Sequence, residues 1–482
     1  MSELKQRTAH GLMWGGINNG VQLVLNAVFG VVLARILNSE DYGMVGQLAI
    51  FTAIANTLQD SGFTTALANR REVRHEDYNA VFWFSTLMGV GMYLLLFFCA
   101  PFIADFYGNP QVTPLARYLF LGFLLSSISI AQNAYLFRHL MVKQRAMAQL
   151  PALFLSGSIG IVLAWNGMTY WGIATQTLTY IGFTTLFYWH FSPWRPTLRI
   201  DFRPLKEMFG FSSKMLVTNL FVQLNANVVS ALLGRLYTEK EVGYYTQGNK
   251  WHSMAAMFIT GMIGNVAQPT LAEVSDNRDR QRAVFRKMLR FAAFLSFPMM
   301  LGLALIAREF IVIVIGDKWL DSVPILQMLC VWGAFAPLSS IYTNLILSKG
   351  KSDIYMWSII VQCCLQLIGI LLVYPYGVHA IVALSVTINV SWILVWHYFV
   401  RREIGLSLWH ALKDMLPFLF ITLLTLGVSR YATLGIHNAY LLFVAKIGIA
   451  IPLYIALMWL SNAKIFRESV SYLQMLKGKR AL

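Results

Sequence analysis

The sequence predicts an all-α, polytopic membrane protein of about fourteen transmembrane helices: two pseudo-symmetric six-helix lobes plus a C-terminal helix pair. Three observations predict it. First, 57% of the 482 residues are hydrophobic and only 12% are charged, whereas soluble domains carry roughly 25% charged residues. Second, the apolar residues come in long runs, such as "AVFWFSTLMGVGMYLLLFFCAPFIA" from Ala80 to Ala104 and "FVAKIGIAIPLYIALMWL" from Phe443 to Leu460. Runs of about 20 match the ~30 Å hydrocarbon layer. A membrane β-barrel is excluded, because its strands alternate over ~10 residues and give no unbroken runs. Third, "LARILNSEDYGMVGQ" (Leu33 to Gln47) recurs 200 residues later as "LGRLYTEKEVGYYTQ" (Leu233 to Gln247). Leu33/Leu233, Arg35/Arg235, Gly43/Gly243 and Gln47/Gln247 are shared.

In chain order the expected spans are 11–34, 43–66, 80–104, 114–137, 149–166, 170–191, 209–235, 243–269, 289–315, 322–347, 354–373, 377–399, 414–432 and 438–460. The polar start "MSELKQRTAHG" leads straight into the first span. It lacks the short apolar core and small-residue cleavage site of a removable signal, so the first span is expected to stay. The repeated motif ends spans 1 and 7 and opens spans 2 and 8. In each copy an Arg closes the outgoing helix, an acidic turn follows and a Gly opens the return, as helix dipoles favour. Arg35 and Arg235 are therefore read mainly as corner residues. Six spans separate the copies, so both enter the membrane in the same direction, giving a parallel repeat. The expected divisions are an N-terminal lobe (1–205), a C-terminal lobe (206–400), and a last helix pair with its tail (401–482). That pair reads as a plain, Leu-rich, lipid-facing hairpin, poor in buried polar groups.

Alternate inter-span segments and the tail, together with the N-terminus and with Arg290 at the very start of the ninth span, hold 28 of the 38 basic residues, including "NRREVRH", "SPWRPTLRIDFRPLK" and "SDNRDRQRAVFRK". The bias keeps its sign through all fourteen spans and places both termini in the cytoplasm. The net charge of +16 is thus a topogenic signal and a contact for anionic membrane lipids; no nucleic-acid partner is needed to explain it. Cys99, Cys330, Cys363 and Cys364 lie inside apolar runs and read as core residues.

No enzyme is expected. There is no HExxH, no GxSxG in a nucleophile setting and no Walker loop, and no converging set of acids, bases or metal ligands. The longest loops, about 15–20 residues, have no room for a catalytic domain. No cofactor or metal is implied. What remains is polarity inside the membrane. Span 1 carries Asn18, Asn19, Gln22 and Asn26; span 7 carries Asn219, Gln223, Asn225 and Asn227. Positions 18, 22, 26 and 219, 223, 227 each advance by four, along one helix stripe. Two readings stand: interhelical hydrogen bonding, or the lining of an aqueous cavity, since amides facing lipid are costly.

Four cations also fall within spans: Arg117, Lys214, Lys250 and Lys446. Intramembrane charge is a functional candidate by default, and snorkelling to the interface is the alternative. The two readings balance for Lys214 and Lys250; snorkelling is favoured for Arg117 and Lys446. The clearest counter-charge is Asp60, with no acid near the midplane, so a cavity built this way favours an anion. Tyr244, Tyr245 and Trp251, beside Lys250, are candidates for stacking on sugar faces.

The segments "LARILNSEDYG", "DSGFTTAL", "SPWRP", "LLGRLYTEKEVGYY" and "FPMMLGLALIAREFIVIVIGDKW" carry a resemblance. The chain resembles the polysaccharide transporter branch of the multidrug/oligosaccharidyl-lipid/polysaccharide flippase superfamily, similar to O-antigen and colanic-acid exporters, over nearly its whole length. The resemblance implies two lobes around a cavity open to one side at a time, in the bacterial inner membrane. It implies transfer of an undecaprenyl-diphosphate-linked oligosaccharide from inner to outer leaflet by alternating access, with a polysaccharide polymerase and glycosyltransferases as potential partners. Similar proteins often carry an acidic residue in span 7, where this sequence has Val229 beside Asn227, so a coupling role for that carboxylate does not carry over. The alternatives are a cation/drug antiporter of the same superfamily, which calls for a buried Asp or Glu in one lobe where basic residues are read instead, and a membrane glycosyltransferase or polymerase, which calls for a large extramembrane loop with catalytic residues.

Overall fold

A computed structural model describes residues 3–60, 67, 72–461 and 465–468. Side chains are described from Trp14 onward within these, except at 60, 204, 207–215 and 264–266. The sixteen α-helices described are α1 (Glu3–Ile36), α2 (Ser39–Gln47), α3 (Ala49–Asp60), α4 (His75–Tyr107), α5 (Val112–Ser127), α6 (Ile130–Arg138), α7 (Val142–Trp165), α8 (Thr169–Phe191), α9 (Arg203–Leu236), α10 (Glu239–Glu273), α11 (Arg278–Val314), α12 (Ser322–Ser348), α13 (Ser352–Val373), α14 (Val378–Ile404), α15 (Leu408–Ala432) and α16 (Ala439–Leu460). No strand occurs among the described residues. Each of the fourteen expected intervals holds helix. Among the described residues, ten helices are long and apolar enough to cross a membrane, or eleven if α5 and α6, bent by 46° at their junction, form one span. Large apolar side chains such as Phe98, Phe102, Leu372 and Trp459 lie exposed on these helices. In a bilayer that surface faces hydrocarbon, not water.

The chain divides into two compact units, Met1–Thr246 and Gln247–Leu482. In the first, α7 packs along α1 and α8, α4 along α5, and α9 along α3 and α4. A core of Leu48, Leu96, Ile103, Leu115, Phe120 and Phe123 fills the space between α2 and α5. In the second, α11 is the hub: it packs against α12, α15 and α16, while α14 lies on α12 and α13.

The repeated motif explains itself in the first unit. Asn38 precedes α2 and its backbone N–H donates to the Asp41 carboxylate at 2.9 Å. Two hundred residues on, the Thr238 N–H and hydroxyl both donate to Glu241 at 3.0 Å. The acids are thus third-residue partners of a helix start, satisfying backbone donors that have no intrahelical acceptor. The glycines do something different. A Cβ on Gly43 would stand 1.9 Å from the Glu239 carbonyl oxygen, and one on Gly243 would stand 1.8 Å from the Ser39 carbonyl oxygen. The two corners pack reciprocally, each glycine against the partner copy's equivalent carbonyl, and only glycine permits that approach. Ser230 Oγ donates to the Gly46 carbonyl at 3.1 Å, and buried Tyr107 donates its hydroxyl to the Gln47 carbonyl at 2.9 Å. Arg35 and Arg235 sit exposed in the last turns of α1 and α9.

The C-terminal pair departs from the expected plain hairpin. α15 buries Asp414, Phe418, Thr422, Thr425 and Ser429, spaced as one helical stripe. The stripe faces α11 at Asp414 and Phe418 and α16 at Ser429. Asp414 accepts from Arg286 Nε at 2.6 Å and Nη2 at 3.1 Å, with Arg290 3.7 Å away. Tyr454 on α16 donates to the Phe294 carbonyl at 2.8 Å. The outward faces of α15 and α16 are apolar and exposed, as expected for lipid contact, but the inner faces are pinned to α11 by polar bonds.

Candidate functional site

In the first unit, the span-1 stripe is built into an amide cluster. Gln149 of α7 accepts at Oε1 from Asn18 Nδ2 at 3.0 Å and from Gln22 Nε2 at 2.9 Å. Gln22 Nε2 is shared with Asn18 Oδ1 at 3.1 Å. Gln149 Nε2 donates to the Tyr188 hydroxyl of α8 at 2.8 Å. Three helices are thereby tied through amides that hydrocarbon alone would leave unsatisfied. Gln149 and Tyr188 were not singled out from sequence. The only signal in the sequence is that Gln149 is a polar residue opening an expected span; its pairing with Asn18 and Gln22 comes from the packing of α7 on α1.

The remaining candidates fall out as follows. Asn19 and Asn26 are exposed, and Asn26 donates back to the Gln22 carbonyl at 2.9 Å. On α9, Asn219, Gln223, Asn225 and Asn227 are all half-buried. Asn227 donates to the Gln223 carbonyl at 2.9 Å, and Asn225 Oδ1 is buried without a hydrogen-bond partner. Arg117 is half-buried rather than extended into solvent; it donates to the Phe97 carbonyl at 3.3 Å and lies 4.2 Å from that ring's centroid. The side chains of Lys214 and Asp60 lie outside the described residues.

In the second unit, Lys250 of α10 is half-buried, its ammonium 5.7 Å from the Trp251 ring centroid. Among the described residues it has no acidic partner. Trp251 is buried against Phe310 at 5.2 Å, and Tyr244 and Tyr245 are buried in the first unit. None of the three offers an open face for a sugar, because helix packing covers them.

Lys446 overturns the snorkelling expectation. It is buried in α16, its ammonium 2.8 Å from Glu309 Oε1 on α11 and 3.2 Å from the Leu305 carbonyl. The Lys446 carbonyl accepts from Ser429 Oγ at 3.0 Å. A counter-charge therefore does exist inside the spans: Glu309, concealed in "LIAREF". The second oxygen of Glu309 is buried without a hydrogen-bond partner. Lys446 stands at the wall of a cavity of about 470 Å³ between α10, α11, α15 and α16, lined otherwise almost wholly by apolar groups such as Leu303, Ile306, Leu426 and Ile451.

Four carboxylates are buried among the described residues: Asp41, Asp77, Glu309 and Asp414. Asp41 and Asp77 accept helix-start N–H groups, from Asn38 and Arg74. Glu309 and Asp414 face cations. No His, Cys, Asp and Glu group with metal-binding geometry occurs among the described residues. Besides these bonded acids, the helices carry amides, hydroxyls and the cations Arg117, Arg145 and Lys250, groups that can bind hydroxyls and anions.

Such an assembly, all-helical among the described residues and with bonded polarity inside its apolar helices, defines a polytopic membrane protein. The family model described as polysaccharide biosynthesis protein matches residues 32–324, and the chain belongs to that family. It is 25% identical over 358 residues to the lipopolysaccharide biosynthesis protein WzxC of Escherichia coli (strain K12), covering 73% of this chain and 72% of that one. It is also 25% identical over 397 residues to the teichuronic acid biosynthesis protein TuaB of Bacillus subtilis (strain 168), covering 82% and 80%. Among solved structures, the fold is similar to the lipid II flippase MurJ in its inward closed conformation, with TM-score 0.69, 17% identity, and 96% and 100% of the two chains covered. It is similar too to a multidrug resistance MATE family transporter of the MOP superfamily, with TM-score 0.65, 17% identity, and coverage of 80% and 94%.

Proposed function

We propose that this protein is a flippase for lipid-linked oligosaccharide, moving an undecaprenyl-diphosphate-linked sugar unit from the inner to the outer leaflet of the bacterial inner membrane by alternating access. The carrying observation is family membership across residues 32–324, on a chain similar to WzxC and TuaB over most of its length. The expected division into lobes of residues 1–205 and 206–400, with a final pair at 401–482, is part of this reading. So are cytoplasmic termini, set by the basic segments. Polysaccharide polymerases and glycosyltransferases are its proposed functional partners.

The physical task fits the polarity found. A bare diphosphate cannot enter hydrocarbon, since desolvating an ion costs on the order of tens of kcal/mol. Half-buried amides on α1 and α9 of the first unit supply replacement hydrogen bonds, and Lys214 joins them in this proposal; in the second unit Lys250, with no acidic partner among the described residues, is a separate candidate for charge. The lipid tail stays in the bilayer throughout. A potential negative inside favours outward movement of anions by ~2.3 kcal/mol per charge per 100 mV. Two negative charges thus gain about 4–5 kcal/mol if they cross without compensating ions. The cation-antiporter reading fits less well. It calls for a buried acid available to a cation, and each buried acid among the described residues is already bonded to a backbone N–H or a basic side chain.

The test is reconstitution of the whole chain in liposomes with a fluorescent undecaprenyl-diphosphate-linked oligosaccharide. Accelerated exchange between leaflets is expected. Transport of a cationic dye with no movement of the lipid-linked sugar would overturn the reading.

A further inference from the structure

Helices α1 and α7 run side by side in the same direction, and their seam carries polar groups at matched heights. At the lower end Lys143 lies 5.7 Å from the Trp14 ring centroid. One turn up, Asn18 and Gln22 meet Gln149 at 3.0 and 2.9 Å. At an intermediate height on α7, one turn before Gln149 on the same stripe, stands Arg145, whose guanidinium is turned to Phe137 of α6 beside the seam. Its Nε is buried without a hydrogen-bond partner, and its guanidinium carbon is 5.1 Å from the Phe137 ring centroid. The side chain is half-buried: its Nε is covered, while its guanidinium lies against the exposed ring of Phe137. Among the described residues it has no acidic partner.

The amide cluster is fixed from behind. Gln149 uses its carbonyl on both α1 amides and its NH2 on the buried Tyr188 hydroxyl. Asn18 and Gln22 are therefore set in one orientation, while Gln22 Oε1 accepts no bond among the described residues. Each primary amide both donates and accepts, as sugar hydroxyls do. A guanidinium is a planar fork suited to two oxygens of one phosphate. Arg145 and Gln149 are separated by about 6 Å along the helix axis, a spacing that matches a phosphate and the sugar ring attached to it.

We propose that this seam reads the substrate's head group. Arg145 binds the diphosphate, and the amides of Asn18 and Gln22, positioned by Gln149, bind hydroxyls of the first sugar. The assignment rests on the flippase reading and deepens it: in the proposed orientation the seam's lower end opens toward the cytoplasm, where the loaded lipid is offered. Gln149 is a positioning residue; Arg145 touches substrate.

The experiment measures binding to the full-length chain in lipid nanodiscs with three probes: farnesol, farnesyl diphosphate and farnesyl-diphosphate-linked hexose. The wild type is expected to prefer the sugar-linked probe, then the diphosphate, then farnesol. Arg145→Gln is expected to weaken both diphosphate probes about tenfold and leave farnesol unchanged, with Arg145→Lys intermediate. Gln149→Leu is expected to weaken the sugar-linked probe alone. A wild type that binds all three alike overturns the flippase reading beneath. A discriminating wild type beside an Arg145→Gln variant that discriminates equally overturns this assignment alone. Equal loss of all three probes in Arg145→Gln also overturns it, because that marks a structural role.

Discussion

Replacing Lys446 by methionine tests the most unexpected bond in the molecule. The pair is short, 2.8 Å, and both side chains are largely out of solvent, at 11% and 6% exposure. Methionine fills most of the lysine volume, so the cost is electrostatic. The Glu309 carboxylate, one of whose oxygens already has no partner, then has none on either. Breaking a buried pair from one side costs about 3–5 kcal/mol, because a charge is left uncompensated. The double variant Glu309→Leu/Lys446→Met removes both charges, and such replacements are often neutral or stabilising by about 1–4 kcal/mol. Denaturant unfolding of the purified chain in micelles, followed by tryptophan fluorescence, yields the double-mutant cycle. The expected result is a large loss in each single variant and recovery in the double. Single variants within about 0.5 kcal/mol of wild type, the usual range for a solvated surface site, would refute the buried pairing.

Gly43→Ala and Gly243→Ala should each lower stability by about 1–3 kcal/mol or more. The added carbon meets backbone at 1.9 and 1.8 Å, and backbone cannot rotate away; thermal melting checks this against Gly16→Ala, where nothing lies within 4 Å. Asp414→Asn should cost about 1–3 kcal/mol, less than a fully buried pair because Arg286 is partly in solvent. Limited proteolysis should then cut the α15–α16 region sooner. Lys250→Ala and Lys214→Ala should each impair leaflet exchange in liposomes while leaving abundance normal; wild-type exchange in both would mark these lysines as membrane-interface anchors.

The architecture was legible because its signals are averages or repeats. Hydropathy over about 20 residues finds a span whichever residue supplies it, and a motif repeated at an offset of 200 announces itself without geometry. Even there, the reason for the repeat was hidden. Asp41 and Glu241 could be assigned to helix starts from spacing, but the opposition of Gly43 to Glu239 and of Gly243 to Ser39 joins residues no local pattern connects. The same averaging that finds spans erases their sparse polar members. In α15 the stripe at 414, 422, 425 and 429 is present in the sequence at helical spacing, yet surrounding leucines, several of them exposed to lipid, dominate the mean. Glu309 sits beside Arg308 near the end of α11 and reads as an interface pair. Only the placement of α16 gives it Lys446 instead. A charge within a span therefore carries two meanings that sequence cannot separate: an open cation for a substrate, or half of a buried bond. Lys446 proves the second, while Lys250 and Arg145 have no acidic partner among the described residues. That contrast directs the search for substrate contacts to the seam of α1 with α7 and to α10, and away from the last helix pair.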